Sequence, residues 1–84
     1  MRKIKIEAKH ISNPRMELEY YLLLKGGTSG IEIRDTRSAE TATRFIPDSA
    51  EKVYSLLLRY ARHGVTPETL KDVVDDYVYT QWLC

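Results

Sequence analysis

Cysteine is nearly absent from this chain: Cys84, the last residue, is the only one. No disulfide can close within the chain, and nothing in its cysteine usage calls for an oxidising compartment. Long apolar runs are missing as well. The longest, Tyr20 to Leu24, falls far short of the ~20 residues that cross a bilayer. The N-terminus alternates charged and apolar residues and lacks the apolar centre of a secretory signal. A cytoplasmic protein with no membrane association is therefore expected. Charge of one sign is not in excess either. The chain carries 13 Lys/Arg and 12 Asp/Glu, a net charge of +1, so charge alone implies no polyanion partner.

Hydrophobic residues make up 43% and charged residues 30% of the 84 positions, a balance that fits a globular chain. One domain over residues 1–84 is expected, and a chain this short buries only about 60–65% of its unfolded surface. The charge is unevenly placed. Residues 1–25 hold six Lys/Arg against three Asp/Glu, whereas residues 47–84 hold four against six. The first part is mildly basic and the last part acidic.

The first half alternates with period two, the mark of half-buried strands. Ile4, Ile6 and Ala8 share one side of the first alternation, with Lys3, Lys5, Glu7 and Lys9 on the other. Ser12-Asn13-Pro14 is turn chemistry. Met16, Leu18, Tyr20, Leu22 and Leu24 form one face of a second strand, opposite Glu17, Glu19, Tyr21, Leu23 and Lys25. Gly26 to Gly30 reads as a hairpin loop. Ile31 and Ile33 mark a third strand, and Ala39 to Ile46 a fourth. The sheet is thus placed at about residues 2–46, with three to four strands.

Pro47 ends the ladder because it has no N–H to donate. Asp48 is a suitable N-cap, and Glu51 completes a capping-box pattern. Val53, Leu56, Leu57 and Tyr60 then recur at helical spacing, which predicts a helix at about 49–63. Tyr54 and Leu58 widen its apolar stripe, as expected of a helix touching both the sheet and a second helix. Gly64 suits a left-handed C-cap with Val65 as its apolar contact. Thr66 and Pro67 open a second helix at about 67–81, with Leu70, Val73, Val74, Tyr77 and Val78 as its buried stripe. This order predicts an α+β fold: an antiparallel sheet of three to four strands with a C-terminal αα-hairpin packed on one face.

Candidate functional residues fall into two sets. Tyr21, Leu23, Tyr79 and Trp82 lie off the expected core stripes and form a candidate surface for another protein or for a self-associated dimer. Lys3, Lys5 and Lys9 on the first strand, with Arg59 and Arg62 before the helix junction, form the alternative, a nucleic-acid surface. The junction Gly64-Val65-Thr66 followed by Thr69, Leu70, Val73 and Val74 has helix-turn-helix spacing. Charge weighs against that alternative. Glu68, Asp72, Asp75 and Asp76 against Lys71 would repel a phosphate backbone.

Other chemistries find little footing. Asp72, Asp75 and Asp76 share a helix side but lack a second cluster to complete a Mg²⁺ site. The Gly26–Gly30 loop leads into a strand, whereas a phosphate cradle requires a helix. His10 and His63 lie in different elements with no partner at zinc-ligand spacing. Cys84 has no positioned base. Neither catalysis nor a cofactor is expected.

Gly30-Ile31-Glu32-Ile33, Gly64-Val65-Thr66-Pro67 and Leu70-Lys71-Asp72-Val73-Val74-Asp75-Asp76-Tyr77 together resemble a family of small uncharacterised proteins from clostridial and related Gram-positive bacteria. The resemblance implies a short, cytoplasmic, stand-alone bacterial protein with no assigned activity. It lends no site residues.

Overall fold

The computed structural model describes residues 1–12 and 15–83, with side chains described up to Thr80. Four strands precede two helices: β1 (Arg2–Ser12), β2 (Arg15–Lys25), β3 (Thr28–Asp35), β4 (Glu40–Ile46), α1 (Ala50–His63) and α2 (Pro67–Leu83). The strands form one antiparallel meander in the order β1-β2-β3-β4. The fourth strand belongs to the sheet, and both helices cover the same face. Helix α1 lies over β1, β2 and β3, while α2 lies over β4 and β3.

The core follows from the alternation. Leu18, Tyr20 and Leu22 of β2, Ile31 and Ile33 of β3 and Ile46 of β4 project towards the helices. Val53, Leu56, Leu57, Tyr60 and Ala61 of α1 and Leu70 and Val74 of α2 meet them. Buried apolar area of this kind is the main stabilising contribution in a small domain.

Tyrosine hydroxyls tie the layers where apolar packing leaves polar groups inside. The Tyr20 hydroxyl donates to the Val65 carbonyl at 2.8 Å, fixing the helix junction to the central sheet. That of Tyr60 donates to the Val73 carbonyl at 3.2 Å, linking α1 to α2. Burial pushes the phenols of Tyr20 and Tyr60 up to about 12.

The junction is built as its residues suggest. Gly64 has φ 68°, its N–H bonds the Ala61 carbonyl, and the Val65 N–H bonds that of Tyr60. This is the paired C-cap pattern that a left-handed residue permits. The Thr69 hydroxyl accepts the Thr66 N–H at 3.2 Å, closing the start of α2.

Four details depart from the sequence reading. First, Ser49 caps α1, accepting the Lys52 N–H at 3.3 Å. Asp48 stands one residue outside, accepting the Ser49 N–H at 2.9 Å and the Tyr77 hydroxyl at 2.7 Å. These donors hold its carboxyl below the usual range, the Tyr77 hydroxyl foremost. Second, only Gly26-Gly27 turns the β2–β3 hairpin, with φ 58° at Gly26. Thr28, Ser29 and Gly30 already pair in β3. Third, β1 contains a bulge between Lys5 and Glu7. An extra residue reverses the alternation beyond it. Lys3 and Lys5 therefore face away from the helices, whereas Glu7, Lys9 and Ile11 pair with Tyr20, Leu18 and Met16 and share their helix-side orientation. Fourth, Tyr54 and Leu58 do not bridge to α2. They stand 41% and 38% exposed on the flank of α1, and Leu58 lines a shallow groove with Glu7, Ala8 and Lys9 of β1.

Candidate functional site

The sheet face away from the helices is where the two candidate sets meet. Strand pairing brings Lys5, Tyr21 and Glu32 into one row, with Lys3 diagonal to Tyr21 and Glu19 two residues before Tyr21 on β2. The Lys5 ammonium bonds Glu19 at 2.9 Å, and the Tyr21 hydroxyl donates to the other Glu19 oxygen at 2.7 Å. The Lys5 contact, followed by that of Tyr21, holds the Glu19 carboxyl below its usual range, while Glu19 raises Lys5 and Tyr21. Glu32 pairs with Lys3 and with Arg34, and accepts the Thr43 hydroxyl at 3.3 Å. Lys3 sits 4.7 Å and Arg34 5.6 Å from the centre of the Tyr21 ring, within cation–π range.

This network answers two expectations. Tyr21 is half-buried and occupied by two cations, so its ring is not an open platform for a stacked base. Leu23 is not a surface residue: it is 1% exposed, although it faces away from the helices. Its cross-strand neighbours are Lys3 and Gly30. The Phe45 ring leans over Gly30, so a Cβ at that position would stand 2.9 Å from the ring and 2.7 Å from the Arg44 carbonyl oxygen. The missing side chain lets Phe45 close over the middle of the sheet, and Leu23 is covered without any helix. The paired small and aromatic residues, Gly30 and Phe45, carried that signal in the sequence, but their register did not.

The alternative set separates. Lys3 and Lys5 are paired on the open face, while Lys9 is on the helix side because of the bulge. Its ammonium donates to the Arg62 carbonyl at 2.9 Å, where a cation complements the negative end of α1. Arg62 lines the groove beside β1, and Arg59 lines another between the helices with Leu56 and Tyr77. No single face gathers Lys3, Lys5, Lys9, Arg59 and Arg62.

Of the candidate partner surface, Tyr79 is 64% exposed on α2. The side chain of Trp82 lies outside the described residues. Asp75 pairs with Lys71 at 3.3 Å on the acidic side of α2. Among the described residues, no group of three His, Cys, Asp or Glu is placed to hold a metal ion, and no helix is long and apolar enough to cross a membrane.

What the sequence reading missed is the outer rim of β1. Among the described residues only β2 pairs with this strand, so its other edge presents unpaired main-chain groups along Arg2–Ser12. Beside that edge, Leu58 and Arg62 line a groove with Glu7, Ala8 and Lys9, and Tyr54 lies one turn before Leu58 on α1. Exposed Tyr54 and Leu58 therefore form an apolar ridge on α1, with Leu58 at the open strand. The sequence contained the hint, since a stripe wider than one core requires has to face something else.

Residues 1–80 match the family of unknown function DUF6514, and the chain belongs to that family. No curated protein matches it, and no solved structure does.

Proposed function

We propose that this chain is a small non-enzymatic module that works by binding another protein. The observation that carries the reading is the β1 rim. An 11-residue edge strand with one free side among the described residues runs beside exposed Leu58, and exposed Tyr54 lies one turn earlier on the same flank of α1. Exposed apolar surface beside unpaired main chain is a common feature of protein docking sites. Tyr79, the most exposed aromatic among the described residues, is a second contact point.

A nucleic-acid regulator has less support. Its cations are divided between the two faces of the sheet and the two flanks of α1, and α2 carries acidic residues outward. A cytoplasmic setting in a Gram-positive host is the context in which the partner is sought.

The test is photo-crosslinking in such a host, with a photoreactive residue placed at position 54 or 79 of the full chain. A discrete crosslinked protein at either position is the expected result. A chain that crosslinks at neither position, while sedimenting as a monomer, would overturn the reading.

A further inference from the structure

We infer that the outer edge of β1 is a strand-addition site for an acidic, extended segment of a partner protein. The inference rests on the interaction-module reading and specifies its mode. Three observations carry it.

The first is geometric. β1 is 11 residues long and pairs on one side only, whereas the other edge strand, β4, has seven residues and lies under α2. An added strand would extend the meander to five strands by main-chain hydrogen bonds.

The second is charge. β1 carries Arg2, Lys3, Lys5 and Lys9 against Glu7, and Arg62 and His63 end α1 beside it. The bulge divides these cations between the two sheet faces. A polymer lying on one face meets only part of them. A strand in the plane of the sheet sends alternate side chains to both faces, so its acidic side would meet Lys3 and Lys5, which stay exposed beside their partners Glu32 and Glu19. The same residues oppose a second copy of this chain, because antiparallel pairing of β1 with itself sets a basic strand against a basic strand. Lysines that prevent self-pairing favour a strand of opposite charge.

The third is the ridge. Side chains of the added strand that point to the helix side would pass exposed Leu58 at the β1 groove, with exposed Tyr54 one turn before it on α1. Those pointing to the open side would pass Lys3 and Lys5. The fitting sequence therefore alternates apolar and acidic residues.

The test titrates the isotope-labelled full chain with a short synthetic peptide alternating Glu and Val. A Lys–Val peptide and an N-methylated Glu–Val peptide serve as controls. The expected result is shifted, exchange-protected amides along β1 with the first peptide alone, weakening as salt rises. Lys5→Glu should weaken binding by about tenfold. Leu58→Ser, at an exposed position, should weaken it with the fold intact by circular dichroism. No β1 response to the Glu–Val peptide, equal binding of the Lys–Val peptide, or shifts confined to α2 would overturn the inference. So would concentration-dependent protection of β1 without peptide, which would make a second copy the occupant. Crosslinking at position 79 without a peptide response at β1 would remove strand addition and leave the module reading standing. Crosslinking at neither position 54 nor 79 would remove that reading itself.

Discussion

The two faces of this sheet are made from the same four strands and held by different forces. Under the helices, Tyr20, Ile31, Ile33 and Leu57 have no exposed surface, and contact between apolar side chains dominates. On the other face, Lys3, Lys5, Glu19, Tyr21, Glu32 and Arg34 form a chain of ion pairs and cation–π contacts. Surface ion pairs contribute little individually. One apolar residue, Leu23, is nevertheless buried on that face, in the cross-strand row that holds Lys3, Gly30 and Phe45. The open face is therefore a thin second layer with a small apolar centre and a charged margin. It lends register to the strands and, among the described residues, leaves the outer edge of β1 unpaired.

This contrast can be broken by substitution. Leu57→Ala, at a position with no exposed surface, should cost about 3–5 kcal/mol, measured by chemical denaturation. Leu23→Ala should cost about 2–4 kcal/mol in the same assay. If it behaved as a surface change, with a loss under about 0.5 kcal/mol, the sealed centre of the open face would be disproved. Tyr20→Phe deprives the Val65 carbonyl of its donor and should cost about 1–2 kcal/mol. The same variant probes the alkaline limb. The phenols of Tyr20 and Tyr60 are raised to about 12, above an unfolded value near ~10. Their contribution is complete below the unfolded value and lost as pH rises through the folded one. Wild-type stability should therefore fall between about pH 10 and 12, with tyrosinate absorbance rising in step, and Tyr20→Phe should flatten part of that slope.

Smaller effects belong to the charged margin. Glu32→Gln keeps the side-chain shape but loses the charge that Lys3 and Arg34 meet. The expected loss is about 1 kcal/mol or less, shrinking as salt is added. The acid limb is the finest test. Glu19 and Asp48 have carboxyls held below their usual range by Lys5 and Tyr77 respectively. Their contribution is present above the unfolded carboxylate values near ~4 and is lost as pH falls through the lowered folded values. Glu19→Gln should make the acid-side slope of stability against pH shallower and, because Glu19 also raises Lys5 and Tyr21, should flatten part of the alkaline slope as well.

Much of this organisation was legible in the chain because it is local. Period-two alternation gave β2 and β3, the segment Gly26 to Gly30 gave the hairpin but not its two-residue turn, and Gly64 between two apolar periodicities gave the helix junction. Caps were legible to within a residue: Asp48 and Ser49 are both good capping residues, and only the backbone direction decides between them. Tyr79 followed from angular spacing on α2 and is exposed. The rest depends on residues distant in sequence. The fate of Lys9 turns on one unpaired residue in β1, Ile6, which no periodicity announces. Leu23 is buried in a cross-strand row with Lys3, Gly30 and Phe45, drawn from three other strands. The exposure of Tyr54 and Leu58 depends on where α1 comes to rest over β1.

What the sequence determined by itself was the element order, the α+β class and the identity of most core residues. Each of these follows from propensity and spacing within a few neighbouring positions. What only the tertiary structure decided was which side of the sheet a given lysine occupies, which off-core apolar residues are covered, and which strand edge stays free. The physical reason is that side-chain direction in a strand is set by its register against another strand. A single extra residue there reverses every side chain that follows, and the surface is fixed only once the strands have paired.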